Sequence, residues 1–214
     1  MAIKLGQCDP KSFLNAYTQI VFAPTIADVD AVVAIVDPSG LTVGTALTIL
    51  TPVLGFHLRH ARFVTLTCDD DDGGGGLSVT VQVVGTRWGN PVTDTITCTS
   101  VTGTLITTSG TVMFDQILSV TPRVITSADS GDAISVGLSG VAFGLERPIS
   151  KITDVVSICN TASDVEATPL APSSTTVNVA QSAIIGISMA VTDRWEVKFF
   201  SNGPDGVGNG GVYA

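Results

Sequence analysis

The most chemically biased stretch of the sequence is an acidic run that leads into glycines, CDDDDGGGGL at residues 68–77. Its four consecutive carboxylates, Asp69, Asp70, Asp71 and Asp72, could bind a cation, and its glycines could bring backbone amides to a phosphate. A calcium loop, however, spaces its ligands at alternate positions and closes with a distal bidentate acid, which this run lacks. Four carboxylates also repel phosphate. We expect a solvated hairpin tip, with cation binding at the four aspartates as the lesser alternative.

Other reactive side chains occur without the spacing that catalysis requires. The sequence contains no Gly-x-Ser-x-Gly elbow for a nucleophilic serine. His57 and His60 lie three residues apart in an apolar stretch and are expected to be structural or exposed rather than metal ligands. Two pairs of acids could in principle hydrolyse a glycoside, Asp154 with Glu166 and Asp193 with Glu196. We expect no enzyme and no cofactor, and a hydrolase on a jelly-roll-like scaffold is the weakest of three hypotheses.

The four cysteines, Cys8, Cys68, Cys98 and Cys159, contain no CxxC pair, and no histidine stands at ligand spacing from them. Structural zinc sites use closely spaced cysteine and histidine ligands. The sequence therefore predicts no zinc site.

The composition excludes several classes of partner. Only 14% of the 214 residues are charged and 44% are hydrophobic, which is apolar for a monomer and predicts a large contact surface. The net charge of −9 with scattered basic residues argues against a nucleic-acid partner. We expect neither a signal peptide nor a membrane span, because no apolar window is long enough, and hence production in a cytoplasm.

The elements that must position these residues are predicted to be β-strands, because hydrophobic residues alternate with polar ones over 77–84 and 92–99. The turn Arg87-Trp88-Gly89-Asn90 joins them in a hairpin. The preceding strand, 60–68, is predicted to pair with 77–84, so that Cys68 faces Leu77, Leu66 faces Val79, Val64 faces Val81, and the acidic run is the hairpin tip. In this register Cys98 lies beside Val79 and roughly 10 Å from the strand of Cys68, which predicts free thiols at both positions.

The remaining segments extend the same pattern. We expect a strand pair around Ser109-Gly110, a strand at 133–138 after a polar turn, and a closing hairpin of 176–191 with 195–199. Segments 12–22 and 26–36 could each form a short helix, although VVAIV could equally be a strand. The fold class is all-β, an antiparallel β-sandwich or jelly-roll-like fold with little helix near the N-terminus. The predicted organisation is an N-terminal segment, a β-sandwich domain with a loop at 163–174, and a glycine-rich tail: 1–59, 60–201 and 202–214.

One pattern extends beyond composition. Residues 79–97, VTVQVVGTRWGNPVTDTIT, resemble a segment common in structural proteins of tailed bacteriophages, where a strand ending in GTD leads through GNPV into TETIT. Two similar stretches follow in the same order, FDQILSVTP at 114–122 and SGDAISVGLSGVAFGL at 130–145. The resemblance covers about a third of the chain. The sequence departs from the pattern at Arg87 and Trp88, where an acid and a polar or aromatic residue are commoner, and at Asp94, where Glu is usual.

This resemblance implies a non-enzymatic virion protein, first of all a capsid decoration, or cement, protein that stabilises the phage head across capsomer junctions. The implied partners are the major capsid protein and other copies of the chain, as a homotrimer, with no nucleic acid and no membrane. The implied location is the capsid surface, after assembly in the host cytoplasm. The alternative is a virion or cell-surface binding module, in a tail, neck or head fibre, that recognises a receptor or a glycan. The interface candidates are Phe63, Trp88, Phe200 and Tyr213.

Overall fold

A computed structural model of the chain describes residues 18–22, 28–50, 56–71, 75–101, 103–160, 170–187 and 194–200, with backbone alone at 18–22 and 56–59. The fold is all-β, and its larger sheets are antiparallel, as the sequence predicted. The strands are β1 (Thr18–Phe22), β2 (Asp28–Val36), β3 (Phe56–Asp69), β4 (Ser78–Arg87), β5 (Asn90–Thr99), β6 (Leu105–Thr126), β7 (Ala133–Leu138), β8 (Phe143–Gly144), β9 (Val155–Asn160), β10 (Val177–Asn178), β11 (Ala183–Ile184) and β12 (Trp195–Phe199).

The short N-terminal helices expected from the sequence are wrong where the structure describes those segments. β1 and β2 are both strands, and the helical residues of the described ranges are two 3₁₀ turns, Pro38–Gly40 and Ile152–Asp154. The alternative interpretation of VVAIV as a strand is confirmed, since β-branched residues favour strands. Across the described part of the chain, no helix has the length and apolarity needed to cross a membrane.

The chain divides into two compact units. One comprises Ile26–Gly144, and the other comprises Met1–Thr25 with Leu145–Ala214. The predicted segments 1–59, 60–201 and 202–214 are continuous in sequence, whereas these units are defined by contacts in space. The six-stranded sheet and the core described next belong to the unit Ile26–Gly144.

The six strands of this sheet lie in the order β2-β7-β3-β6-β4-β5. The predicted pairing of β3 with β4 is therefore wrong, because β6 lies between them. Cys68 faces Ile134 of β7 on one side and Ile106 of β6 on the other, rather than Leu77. Leu66 and Val64 face residues of β7 in the same way, at Val136 and Leu138. Alternation fixes which face of a strand is buried but not which strand lies beside it.

Strand β6 is long enough to serve two neighbours. Its first half pairs with β3, from Leu105 opposite Asp69, and its second half pairs with β4, to Thr126 opposite Ser78. The predicted strand pair around Ser109-Gly110 is thus one continuous strand. The register against β3 slips between Ser109 and Met113, so the polar dipeptide marks a bulge instead of a turn.

The sheet folds over on itself to form the sandwich. β3 and β5 lie three positions apart in the sheet, which would separate them by roughly 14 Å if it were flat. Instead the Cys68 sulfur lies 3.8 Å from the Cys98 carbonyl oxygen, and the Cys98 sulfur lies 3.3 Å from the Ile106 carbonyl oxygen. The expected separation of the cysteines is therefore wrong, although both are free. The hydrogen bond to Cys98, and then burial, raise the pKa of the Cys68 thiol above its ordinary value.

The core fills the space between the folded halves of the sheet. Alternate residues of β4 and β5 are fully or almost fully buried, including Val79, Val81 and Ile96, and they pack with Leu66 and Phe114. The opposite face of this hairpin carries threonines, and two cross-strand hydroxyl bonds, Ser78 to Thr99 and Thr80 to Thr97, link it. The alternation predicted for these strands is confirmed.

The second unit contains a three-stranded antiparallel sheet in the order β1-β12-β9. Trp195, Val197 and Phe199 of β12 are buried. The predicted closing hairpin is wrong, because β12 pairs with β1 and β9. Within the expected partner strand, 176–191, two short antiparallel strands, β10 and β11, pair with each other instead. The polar turn that precedes β7 and the extent of β7 itself are confirmed.

Replacing Gly137 with alanine tests how tightly β2 packs on β7. A Cβ at this position would lie 1.9 Å from the Asp28 carbonyl oxygen and 2.4 Å from the Val29 carbonyl carbon, both backbone atoms. We expect Gly137→Ala to lower the free energy of unfolding by about 1 to 3 kcal/mol through overpacking, measured by urea denaturation. Gly40→Ala is the control, since a Cβ there meets nothing within 4 Å. Equal stability of the two variants would contradict the packing described.

Candidate functional site

The described aspartates of the acidic run, Asp69, Asp70 and Asp71, do not form one cluster. Asp69 is the last residue of β3 and faces Ala133 of β7. Asp70 is 3% exposed, and its carboxylate accepts a hydrogen bond of 3.2 Å from the Leu77 backbone N–H. Asp71 is exposed, and Asp72 lies outside the described residues. The expected hairpin tip is wrong because the run connects two strands that are not neighbours.

Asp71 meets two aspartates that the sequence analysis did not single out. β3 and β7 are antiparallel and Asp69 is opposite Ala133, so Asp71 reaches the level of Gly131. Carboxylate oxygens of Asp71, Asp129 and Asp132 all lie within 4.8 Å of one another. The available signal was the Asp-Ser-Gly-Asp turn at 129–132, but only the pairing of β3 with β7 brings that turn to the acidic run.

Trp88 stands at a two-residue turn between β4 and β5, where Trp88 and Gly89 both have positive φ, 52° and 76°. This is the backbone of a tight hairpin turn, and it is strained for a tryptophan. Asp115 holds the turn, accepting hydrogen bonds from the Trp88 backbone N–H and from the Thr86 hydroxyl. The turn predicted from the sequence is confirmed, and it presents the indole, which is 36% exposed, in a fixed position.

Arg87 packs its guanidinium against this indole. Its guanidinium lies 4.1 Å from the centre of the Trp88 ring, while the side chain as a whole is only 6% exposed. Burial lowers the pKa of Arg87 to about 10, and the nearby charge of Asp115 opposes that shift. A Cβ on Gly144 would lie 2.4 Å from a guanidinium nitrogen, so the glycine makes room for the arginine.

The other candidate residues belong to different parts of the chain. Phe63 is half-buried on β3, Phe200 is 40% exposed after β12, and Tyr213 lies outside the described residues. Of the acid pairs considered for glycoside hydrolysis, Glu166 and Asp193 are also outside the described residues. The two remaining acids have local structural contacts: Asp154 accepts from the Ser150 and Lys151 backbone N–H groups, and Glu196 forms an ion pair with Lys198 at 2.9 Å.

An apolar groove lies beside β2, at one edge of the six-stranded sheet. The β2 groove has a volume of about 290 Å³ and is lined by residues 33–36 and 46–48 together with Leu41 and Leu50, none of them charged. Leu50 is bound back to β2 by a hydrogen bond of 3.0 Å from its N–H to the Val32 carbonyl. Ile35 is 67% exposed and Leu50 is 51% exposed, so large aliphatic side chains face solvent at the groove.

Asp94 connects β5 to the bulge of β6 and stands in the segment that resembles the phage proteins. One of its carboxylate oxygens accepts hydrogen bonds from the Thr111 and Val112 backbone N–H groups, at 2.7 and 3.0 Å. In the bulge, residues 110–112 have no partner in register on β3. Gly110 is required at this position, because a Cβ there would lie 2.3 Å from the Asp94 carboxylate. The side chain therefore satisfies donors that the ladder leaves open.

The sequence matches no protein-family model, no curated protein and no solved structure.

Removing the Asp94 carboxylate tests whether it closes the sandwich. We expect Asp94→Ala to lower the free energy of unfolding by about 3 kcal/mol, because two partly buried N–H donors lose their acceptor at roughly 1 to 3 kcal/mol each. Asp94→Asn keeps one acceptor oxygen and should lose about half as much. Urea denaturation measures both.

The control is Asp37→Ala, which removes an exposed carboxylate that accepts one hydrogen bond, from the Ser39 N–H at 2.8 Å. Its expected cost is about 1 kcal/mol or less. If Asp94→Ala cost no more than Asp37→Ala, the carboxylate would not be the link between β5 and β6.

Proposed function

We propose that the chain is a non-enzymatic structural protein of a tailed-bacteriophage virion, a capsid decoration protein that stabilises the head by binding the major capsid protein across capsomer junctions. The observation that carries the proposal is the β2 groove, an uncharged apolar surface at a sheet edge. Its position in the unit Ile26–Gly144 places it in the part of the chain that carries the phage-like segments.

The groove has the properties of a protein-binding surface. Large contiguous apolar patches that are exposed on a protein surface often mark interaction sites. At the groove, Leu50 is 51% exposed and Ile35 is 67% exposed. Beyond Asp30, β2 carries no charge that would discourage contact along the edge of the sheet. A partner that buries these side chains gains from their removal from water.

The resemblance supports the choice of partner. The segments similar to phage structural proteins build β4, β5, the second half of β6, and β7, which together form most of the sheet that the groove borders. Two residues at which this chain departs from the phage pattern have defined places in the fold. Trp88 lies at the hairpin turn, and Asp94 binds the bulge of β6. A trimer, as expected for decoration proteins, would present three such grooves to a shell.

A second candidate, a virion or cell-surface module that binds a glycan or a receptor, is favoured by Trp88. The indole is held on Arg87 and by Asp115, and a rigid exposed aromatic ring is a usual platform for a sugar ring or a protein anchor. The two candidates use different surfaces and are therefore separable by mutation.

Binding to capsid shells tests the first proposal. The purified protein is measured by light scattering for its mass and is then sedimented with empty shells assembled from the major capsid protein of the same phage. We expect a trimer that cosediments, and Ile35→Lys and Leu50→Lys should each weaken shell binding at least about tenfold by burying a charge. Val124→Lys, at a position that is 49% exposed and outside the groove, is the matched control.

Two results would contradict the decoration role. One is a protein that never associates with shells but binds glycans, with binding lost in Trp88→Ala. The other is shell binding that Ile35→Lys leaves unchanged, which would remove the groove from the contact.

A further inference from the structure

We propose that Asp71, Asp129 and Asp132 form a calcium-binding site at the end of the sandwich where β3 ends and β7 begins. The site is independent of the proposed virion function. It joins an exposed residue that follows β3 to a turn between β6 and β7, so a bound ion would link two connections of the sheet.

The three carboxylates are close enough to share one ion. Calcium binds oxygen ligands at about 2.3 to 2.6 Å, so two oxygens on opposite sides of the same ion lie about 5 Å apart at most. The oxygens of Asp71, Asp129 and Asp132 meet that condition, since all lie within 4.8 Å of one another. Carboxylate oxygens are the ligands that calcium prefers, and its irregular coordination tolerates ligands from two separate loops. Water and backbone carbonyls would complete the shell.

Asp132 provides the second, independent observation. Its side chain is 3% exposed, and one carboxylate oxygen accepts a hydrogen bond of 3.0 Å from the Asp129 backbone N–H. The other oxygen, Oδ1, is buried and has no hydrogen-bond donor among the described residues. A buried carboxylate oxygen without a donor is strongly disfavoured, and a cation is the partner that would satisfy it.

The backbone between the two loop aspartates is shaped around Asp71. Gly131 has φ of +119°, and a Cβ there would lie 2.1 Å from a carboxylate oxygen of Asp71. The Asp71 carboxylate therefore lies against Gly131, which stands between Asp129 and Asp132 in the sequence. A side chain at 131 would contact this carboxylate and would be strained at this positive φ.

The basic residues of this unit are few. Residues 26–144 contain eleven aspartates, no glutamate, four arginines and no lysine, a formal charge of −7. Three of the arginines have contacts elsewhere: Arg62 with the Ser139 carbonyl, Arg87 with the Trp88 ring and Arg123 with the Gln82 amide oxygen. A divalent ion would offset the mutual repulsion of the three carboxylates.

The test is calcium titration of the full chain after removal of metal with EDTA, followed by calorimetry and thermal unfolding. We expect one Ca²⁺ per chain with Kd of about 10⁻⁴ to 10⁻³ M, and a rise in Tm of about 5 to 10 °C when Ca²⁺ reaches one hundred times Kd. Asp71→Asn and Asp132→Asn should abolish both the binding heat and the rise in Tm.

The matched control is Asp69→Asn, which removes one charge from the same acidic run but lies outside the three-residue cluster. It should retain calcium binding within about twofold. Because Asp71 is exposed, Asp71→Asn is expected to fold even if Asp132→Asn does not. In EDTA, Asp71→Asn should be at least as stable as the parent, since it relieves repulsion. The proposal is overturned if the parent shows no binding heat, or if Asp69→Asn loses binding as completely as Asp71→Asn.

Discussion

The sandwich depends on the sharing of β6 between two sets of neighbours. Its first half continues the ladder of β3 and its second half that of β4, so a single strand belongs to both halves of the folded sheet. Such a strand must change direction, and the bulge before Met113 provides this change. Backbone N–H groups in the bulge then have no partner in the ladder with β3. The Asp94 carboxylate satisfies those donors from β5, which folds the outer hairpin over the inner strands. The enclosed core follows from that closure, because Leu66 and Ile96 can then share one apolar interior.

The sequence was sufficient for properties that depend on neighbours along the chain. Period 2 alternation identified strands such as β4 and β5 and their buried faces, and glycine with asparagine after Arg87 located the hairpin turn. Partners distant in sequence were not predictable in the same way. A strand such as β3 has the same alternation whether it pairs with β4 or with β7, and the energetic difference lies in packing across the core. The Ser109-Gly110 dipeptide shows the same limit, since glycine suits both a turn and a bulge that needs space for a carboxylate.

The acidic run illustrates how strand pairing changes the chemistry of a motif. As the tip of a β3–β4 hairpin, four aspartates would share one exposed loop and repel one another. In the observed sheet the described aspartates of the run separate: Asp70 accepts a hydrogen bond from the Leu77 N–H, and Asp71 lies near Asp129 and Asp132 of the loop before β7. Neither position was visible from the run itself, because the residues that define each role lie elsewhere in the chain. The sequence thus located the acidic run but not the cluster. The other members of the cluster, Asp129 and Asp132, belong to the polar turn before β7, which by itself indicates only a change of chain direction.

The positions of the aspartates also explain how the chain exposes an apolar surface at one edge of the sheet. Asp70, Asp94 and Asp115 accept hydrogen bonds from backbone N–H groups where strands end, bulge or turn. These charges stabilise the termini and irregularities of the sheet and are therefore fixed in place by its geometry. Beyond Asp30, β2 carries no charge, and none of the residues that line the groove beside it is charged. Because the groove lining carries no charge, apolar contact at this part of the β2 edge meets little electrostatic opposition.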